Sequence, residues 1–304
     1  MSAAGVSRPS GLSGFSGLSD LSGLSNISGL SGLPEFSGRP QDTRSNAQSA
    51  GTPAGRVIFI SAGPGAADLI TLRGASRLAE ADVVLFDALT DPALRHLAPQ
   101  ARWIDVGKRG FSSRSTGQTT IDALLVRLAR QHAVVVRLKG GDASVFGRLE
   151  EELLALAGTG IECEVVPGVT AALAAAAVAQ RPLTRRGVGR SVSLTTAMTR
   201  TGSLQPGRHA DTEVFYMAGR QLGVLGRALQ QAGWAADTAV CVVSRAGWPD
   251  GLSSDHVLAD LASAAVLHAG RPTVVTVGAG AAPLPQQPAR TAHAALATEP
   301  ALAP

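Results

Sequence analysis

Between residue 56 and about residue 280, short runs of aliphatic and β-branched residues alternate with segments whose leucines and alanines recur at helical spacing. The runs at 57–61, 83–87, 103–106, 134–138 and 163–166 predict strands, and 69–81, 92–97, 119–131 and 149–157 predict helices between them. Strands apolar on both faces and separated by helices predict an α/β fold with a largely parallel sheet. Gly63-Pro64-Gly65 fills the first strand-to-helix turn, and residues 107–117 read as a loop.

Val166-Pro167-Gly168 interrupts the rhythm. A nearly all-alanine helix follows at 170–179, then strands at 192–195, 213–216, 240–243 and 273–277. A helix at 221–231 and a partly helical stretch at 257–267 lie among them. The pattern predicts two α/β domains, 55–167 and 168–280, and a cleft between two such units is a favoured place for a small molecule. Residues 1–54 repeat Ser-Gly-Leu without helical period or strand alternation, and are expected to form a flexible tail. Residues 281–304, rich in Ala and Pro, are expected to form a second one.

Composition narrows the function classes. The net charge of +4 is mild, no basic block occurs, and aromatic residues make up only 4%, so no nucleic-acid partner is expected. No stretch approaches the ~20 apolar residues of a membrane span, and no secretory leader is recognisable. The Ser-rich tail is too poor in Arg for a good transit peptide. Cys163 and Cys241 sit in apolar runs and are expected to be small core residues of a reducing compartment, which points to the cytoplasm. The six histidines are scattered, with solvated positions the default for four of them, and no metal site is expected.

Candidate chemistry gathers at strand ends. Arg137-Leu138-Lys139-Gly140-Gly141-Asp142 closes the strand at 134–138. A Gly-Gly pair lets a ligand approach the backbone or permits positive φ, and the adjacent acid can meet a cation or a hydroxyl. By itself the stretch fits a tight turn with a solvated Asp equally well. Asp87 and Lys108 end two further strands on the same edge, where an acid and an amine can exchange protons with a substrate; solvated surface positions are the plainer alternative. Gly63-x-Gly65-x-x-Asp68, with Asp87 as a ribose-binding acid, outlines a nicotinamide oxidoreductase as a rival. Against it, Pro64 stiffens the turn and Asp68 puts a carboxylate where a pyrophosphate would lie.

In order and spacing these segments resemble the uroporphyrinogen-III C-methyltransferases, of the tetrapyrrole methylase group. The resemblance spans residues 56–280 through Gly63-Pro64-Gly65, Leu85-Phe86-Asp87, Val106-Gly107-Lys108-Arg109 with Gln118 and Ile121, and the run 136–142. It continues through Val145-Phe146-Gly147-Arg148, the run 165–171, Pro182-Leu183-Thr184, Arg186-Gly187 and Phe215-Tyr216-Met217. It implies a two-domain α/β tetrapyrrole methylase architecture with the active site in the interdomain cleft, usually as a homodimer. It implies S-adenosylmethionine as methyl donor and two methylations of uroporphyrinogen III to precorrin-2, the branch compound to sirohaem and cobalamin. Another tetrapyrrole or precorrin substrate is the alternative, and a non-catalytic binding protein on the same fold is a further one. No dehydrogenase or ferrochelatase segment is recognisable, so other enzymes are expected to complete either route.

Carried over residue by residue, the resemblance makes Asp87 the proton acceptor and Lys108 the proton donor. It makes Pro64, Gly140, Gly141, Asp142, Val145, Thr170, Ala171, Met217 and Ala246 the cofactor contacts. For a substrate with many carboxylates, Arg109, Arg137, Arg148, Arg185 and Arg186 are clamp candidates as a group. The chain departs from the family pattern at Ala143, where proline is usual, and at Leu149 and Glu150, where two glycines are usual. Thr196-Ala197-Met198 replaces a usual Thr-Gly-His, and the segment before Glu213 is short and lacks a usual Trp.

Overall fold

Five strands, β1 (Arg56–Ser61), β2 (Val83–Phe86), β3 (Arg102–Asp105), β4 (Val134–Lys139) and β5 (Glu162–Val166), pair in the order β3-β2-β4-β1-β5. Every pairing in this sheet is parallel. The carboxyl ends of all five strands therefore face one edge, which is where α/β folds bind ligands. The computed structural model describes residues 55–107, 117–197 and 207–284. The expected tail at 1–54, residues 285–304 of the second, and Lys108, Arg109 and Met198 lie outside them.

Period-two alternation sends Val57 and Phe59 of β1, Leu85 of β2 and Val135 of β4 to one face of the sheet. There they pack on Ile121, Leu125 and Leu128 of one helix, Gln118–Ala129, and Leu156 of another, Leu149–Leu156. The helix expected over 69–81 is divided. A 3-10 turn occupies Ala67–Leu69, and α1 (Leu72–Ala79) starts afresh after Thr71, whose Oγ1 accepts the Gly74 amide at 3.1 Å. Thr is a strong helix N-cap, and this one resets the boundary. The two helices just described are α2 and α3.

After β5, α4 (Ala171–Ala179) opens the second half of the fold. Its alanines favour the helix and carry little bulk, so Ala172, Ala174, Ala175 and Ala179 are all buried. The second sheet has the order β6-β7-β10-β8-β9, from β6 (Val192–Thr196), β7 (Thr212–Tyr216), β8 (Ala239–Ser244), β9 (Leu252–Val257) and β10 (Thr273–Gly278). It is mixed: β6 and β7 run parallel, and the remaining pairings are antiparallel. Phe215, Val242 and Val275 face α5 (Leu222–Gln231) and Ala264 of α6 (Ala264–Leu267). Val214, Tyr216, Cys241, Val243 and Val274 share the other face with α4.

Three sequence expectations change. β9 lies in a stretch that carried no strand signal. Cys163 is exposed, because β5 is an edge strand and its odd face is uncovered; Cys241 is buried as expected. His268, at the end of α6, is fully buried, although solvated positions were the default expected for four of the six histidines. Among the described residues no helix is long and apolar enough to cross a membrane.

Candidate active site

The turn after β1 and the turn after β4 are stitched together at the sheet's carboxyl edge. Gly63 and Gly141 exchange backbone bonds, Gly141 N to Gly63 O at 2.7 Å and Gly63 N to Gly141 O at 3.2 Å. Both glycines have positive φ, +80° and +72°, a region that suits glycine and strains most side chains. Ser61 Oγ adds a further link, accepting the Ala143 amide at 2.9 Å.

Asp142 ties in the third turn. Its Oδ1 accepts Ser144 N at 2.8 Å and its Oδ2 accepts Gly168 N at 2.9 Å. Gly168 has no room for a side chain, since a Cβ there would lie 2.5 Å from Ser61 Cβ. The residue expected as a direct partner for a cationic ligand thus has both carboxylate oxygens accepting backbone amides, one within the turn after β4 and one that holds the turn after β5 beside it.

Loops of the second half close the same region. Ala66 N donates to Gly247 O at 2.9 Å, and a Cβ on Gly65 would come within 2.5 Å of the Gly247 carbonyl carbon. The same Cβ would lie 2.8 Å from the carbonyl oxygen of Ala246, which is buried, so the turn that carries Pro64 is set against this loop through Gly65. Tyr216 Oη meets Thr170 Oγ1 at 2.8 Å and accepts Ala172 N at 3.2 Å, fixing the start of α4. The Phe146 ring stands edge-on to Tyr216 with centroids 4.9 Å apart. Val145 and Ala171 pack on the cluster that contains Tyr216 and Ala246, and Met217 follows Tyr216 with φ +56°.

Of the five non-glycine residues with positive φ among the described residues, Phe146, Arg148, Met217 and Arg245 lie in or next to these loops. Such conformations cost on the order of 1–3 kcal/mol each and collect at functional sites. Every expected cofactor residue is therefore in or beside one constellation of backbone-rich turns. A Cβ built on Gly141 meets nothing within 4 Å, so this turn faces open space rather than packed protein.

Asp87 follows β2 on the same edge, and the loop that carries it touches the Gly-Gly turn: a Cβ on Gly140 would lie 3.4 Å from Leu89 Cβ. Its side chain is 20% exposed, and Oδ1 accepts Arg137 Nη2 at 2.6 Å. Lys108, the expected partner, lies outside the described residues.

The five clamp candidates separate. Arg137 is fully buried and cannot reach a substrate. Arg148 is exposed and donates through Nε to Glu151 Oε1 at 2.6 Å. Arg185 donates to the carbonyls of Ala279 and Ala282, whereas Arg186 is exposed, and Arg109 is outside the described residues. Of the two departures in the glycine pair, Leu149 packs against the core of the first sheet and only Glu150 is exposed. Both border a surface groove of about 630 Å³ with Ser144, Phe146, Leu153 and Leu154.

Sequence reasoning missed Glu152, whose carboxylate is fully buried between Arg137 and Lys139. The available signal was two cations inside a buried strand, which require a buried counter-charge. It also gave no role to Tyr216 or Gly247.

Residues 56–262 match the family model of the tetrapyrrole (corrin/porphyrin) methylases. The chain is 43% identical over 197 residues to a uroporphyrinogen-III C-methyltransferase of Pseudomonas aeruginosa, covering 64% of this chain and 80% of that one. To a protein of the same name from Synechocystis it is 39% identical over 235 residues, covering 74% and 89%. The crystal structure of a uroporphyrin-III C-methyltransferase from Thermus thermophilus complexed with S-adenosylhomocysteine superposes with a TM-score of 0.65 at 36% identity, covering 74% of this chain and 98% of that one. With this breadth of match laid over the two-sheet architecture and its converging turns, the chain belongs to the tetrapyrrole methylases.

Proposed function

We propose that the chain is an S-adenosylmethionine-dependent C-methyltransferase that methylates uroporphyrinogen III twice to give precorrin-2. The observation that carries this is the convergence of turns from both halves of the fold on one backbone-lined space, in a chain 43% identical to an enzyme of that name. When bound, S-adenosylmethionine supplies an electrophilic methyl group. Pro64, Gly140, Gly141, Val145, Thr170, Ala171, Met217 and Ala246 line its place, and Asp142 holds the turns that form it.

The chain's own residues then have three tasks. The glycine-rich turns and the Phe146–Tyr216 pair exclude water and fix the acceptor carbon against the donor; alignment of this kind accounts for much of the barrier lowering in group transfer. Asp87 takes up the proton that the substrate loses, through the carboxylate edge not used by Arg137. Lys108 is the matching donor. Substrate carboxylates are met by exposed arginines, among which Arg148 and Arg186 are free of the buried network. The enzyme works as a cytoplasmic homodimer.

The test is turnover with S-adenosylmethionine and enzymatically generated uroporphyrinogen III without oxygen, followed by mass and absorbance. A gain of two methyl groups is expected. No gain, with S-adenosylhomocysteine still bound tightly, would sink this substrate and direct the search to other tetrapyrroles.

A further inference from the structure

Four charged side chains form a chain of alternating sign: Lys139 and Arg137, two residues apart on β4, flank Glu152, and Arg137 reaches on to Asp87 at the end of β2. Lys139 Nζ donates to Glu152 Oε2 at 2.6 Å, Arg137 Nε donates to Glu152 Oε1 at 2.9 Å, and Arg137 Nη2 donates to Asp87 Oδ1 at 2.6 Å. The side chains of Lys139, Glu152 and Arg137 are 2%, 0% and 0% exposed, against 20% for Asp87. Only at Asp87 does the chain of charge meet anything that enters the site.

The guanidinium between them is held on all sides. Besides Nε and Nη2, its Nη1 donates to Leu138 O at 3.1 Å and Leu85 O at 3.4 Å. Burial works against the Arg137 charge, but the attraction of Asp87 and then Glu152 outweighs it and raises its pKa above the usual arginine value. For Lys139 the balance goes the other way, burial and the Arg137 charge lowering its pKa. Buried ion chains of this sort are poor sources of stability compared with apolar packing, so three inaccessible charges call for another reason. The reason available is orientation. Arg137 uses a rigid, planar fork to fix one oxygen of Asp87, and among the described residues Oδ2 is left without a hydrogen-bond partner.

We infer that Arg137, braced by Glu152, is a positioning residue that holds Asp87 as an aimed proton acceptor, an inference that rests on Asp87 having that role. It replaces the expectation that Arg137 grips substrate.

The experiment compares Arg137→Lys, Glu152→Asp and Asp87→Asn in the full chain, measuring kcat against pH, S-adenosylhomocysteine affinity and thermal stability. Glu152→Asp keeps every charge but shortens the brace, so it serves even where Arg137→Lys does not fold. Both variants of the brace are expected to lower kcat about 10- to 100-fold through misplacement of the base. Affinity for S-adenosylhomocysteine should stay within about twofold, because none of the cofactor turns is altered. Both variants keep a cation but move it away from Asp87 Oδ1, so the acidic limb of the kcat profile should also shift toward higher pH. A guanidinium that is only a strut would give falling stability, affinity and kcat together with an unmoved pH profile, and that result overturns the inference. So does wild-type behaviour of both variants. Wild-type turnover in Asp87→Asn would instead remove Asp87 from the reaction, and it is distinguishable because that variant leaves Arg137 and Glu152 in place.

Discussion

Asp142 Oδ2 accepts the Gly168 amide at 2.9 Å, across 26 residues of sequence, and this one bond joins the turn after β4 to the start of the second half of the fold. The other oxygen accepts Ser144 N at 2.8 Å. Hydrogen bonds to a charged acceptor contribute about 1.5–3 kcal/mol each. Asp142→Ala should therefore loosen both turns and weaken S-adenosylhomocysteine binding by at least about tenfold. Asp142→Asn keeps a carbonyl oxygen for Gly168 and should lose less. Calorimetric titration measures both, and normal affinity in Asp142→Ala would show that the ligand sits elsewhere.

The contact between Gly65 and Gly247 sets a second test. A Cβ on Gly65 would lie 2.5 Å from Gly247 C and 2.7 Å from Gly247 O. Both are backbone atoms, so no side chain can swing aside. Gly65→Ala should cost about 1–3 kcal/mol of stability and push the turn carrying Pro64 away from Ala246, with loss of cofactor affinity. Gly141→Ala is the contrast. There the space is open but φ is +72°, and the new methyl group points into the proposed ligand region. It should impair binding with a smaller change in melting temperature.

What the sequence revealed, and what it hid, follows from how local each signal is. The strands β1, β2, β4 and β8 are rich in Val and other apolar residues and buried on both faces, and such runs declare themselves. β9 reads Leu-Ser-Ser-Asp-His-Val and is an edge strand whose identity comes from pairing with β8 alone, so no hydrophobic pattern marks it. The turns at the carboxyl edge of the first sheet were legible because glycines cluster after strands. The role of Arg137 was not, because its partner Glu152 is fifteen residues away, and only the packing of α3 against the sheet brings it near. For the same reason Asp142 looked like a free acid until Gly168 was seen against it.

Tyr216 offers a test of how the second half supports the site. Its hydroxyl meets Thr170 Oγ1 and accepts Ala172 N, and its ring receives the edge of Phe146. Tyr216→Phe keeps the ring contact and removes only the hydroxyl. A buried amide left without a partner costs about 1–3 kcal/mol, so the variant should melt lower and bind S-adenosylhomocysteine several-fold more weakly. Phe146→Ala removes the ring contact and leaves the hydroxyl bonds, and should affect binding with little effect on stability, because Phe146 is 42% exposed. Equal loss of stability in the two variants would contradict this division of roles.

The last prediction concerns acid. His268 is fully buried, with Nε2 2.9 Å from Ser254 Oγ and Nδ1 2.8 Å from Ser244 Oγ. Ser244 Oγ also accepts Arg271 Nε at 3.0 Å, and Ser254 Oγ lies 2.7 Å from His256 Nε2. This relay suits a neutral imidazole that accepts at one nitrogen and donates at the other. Burial first, then the nearby His256 and Arg271, lowers the His268 pKa from 6.5 to about 4. The unfolded chain protonates this residue near pH 6.5 while the native one does not, so between there and about pH 4 the unfolded state binds more protons. Stability must then fall as pH falls through that window, by about 3 kcal/mol for the full difference. His268→Gln retains hydrogen-bonding capacity toward both serines without a titrating group. Its stability, measured by urea unfolding at several pH values across the window, should start lower but fall less steeply on acidification than that of the parent chain. Parallel slopes would mean that His268 is protonated in the native state and that the relay adjusts to hold it.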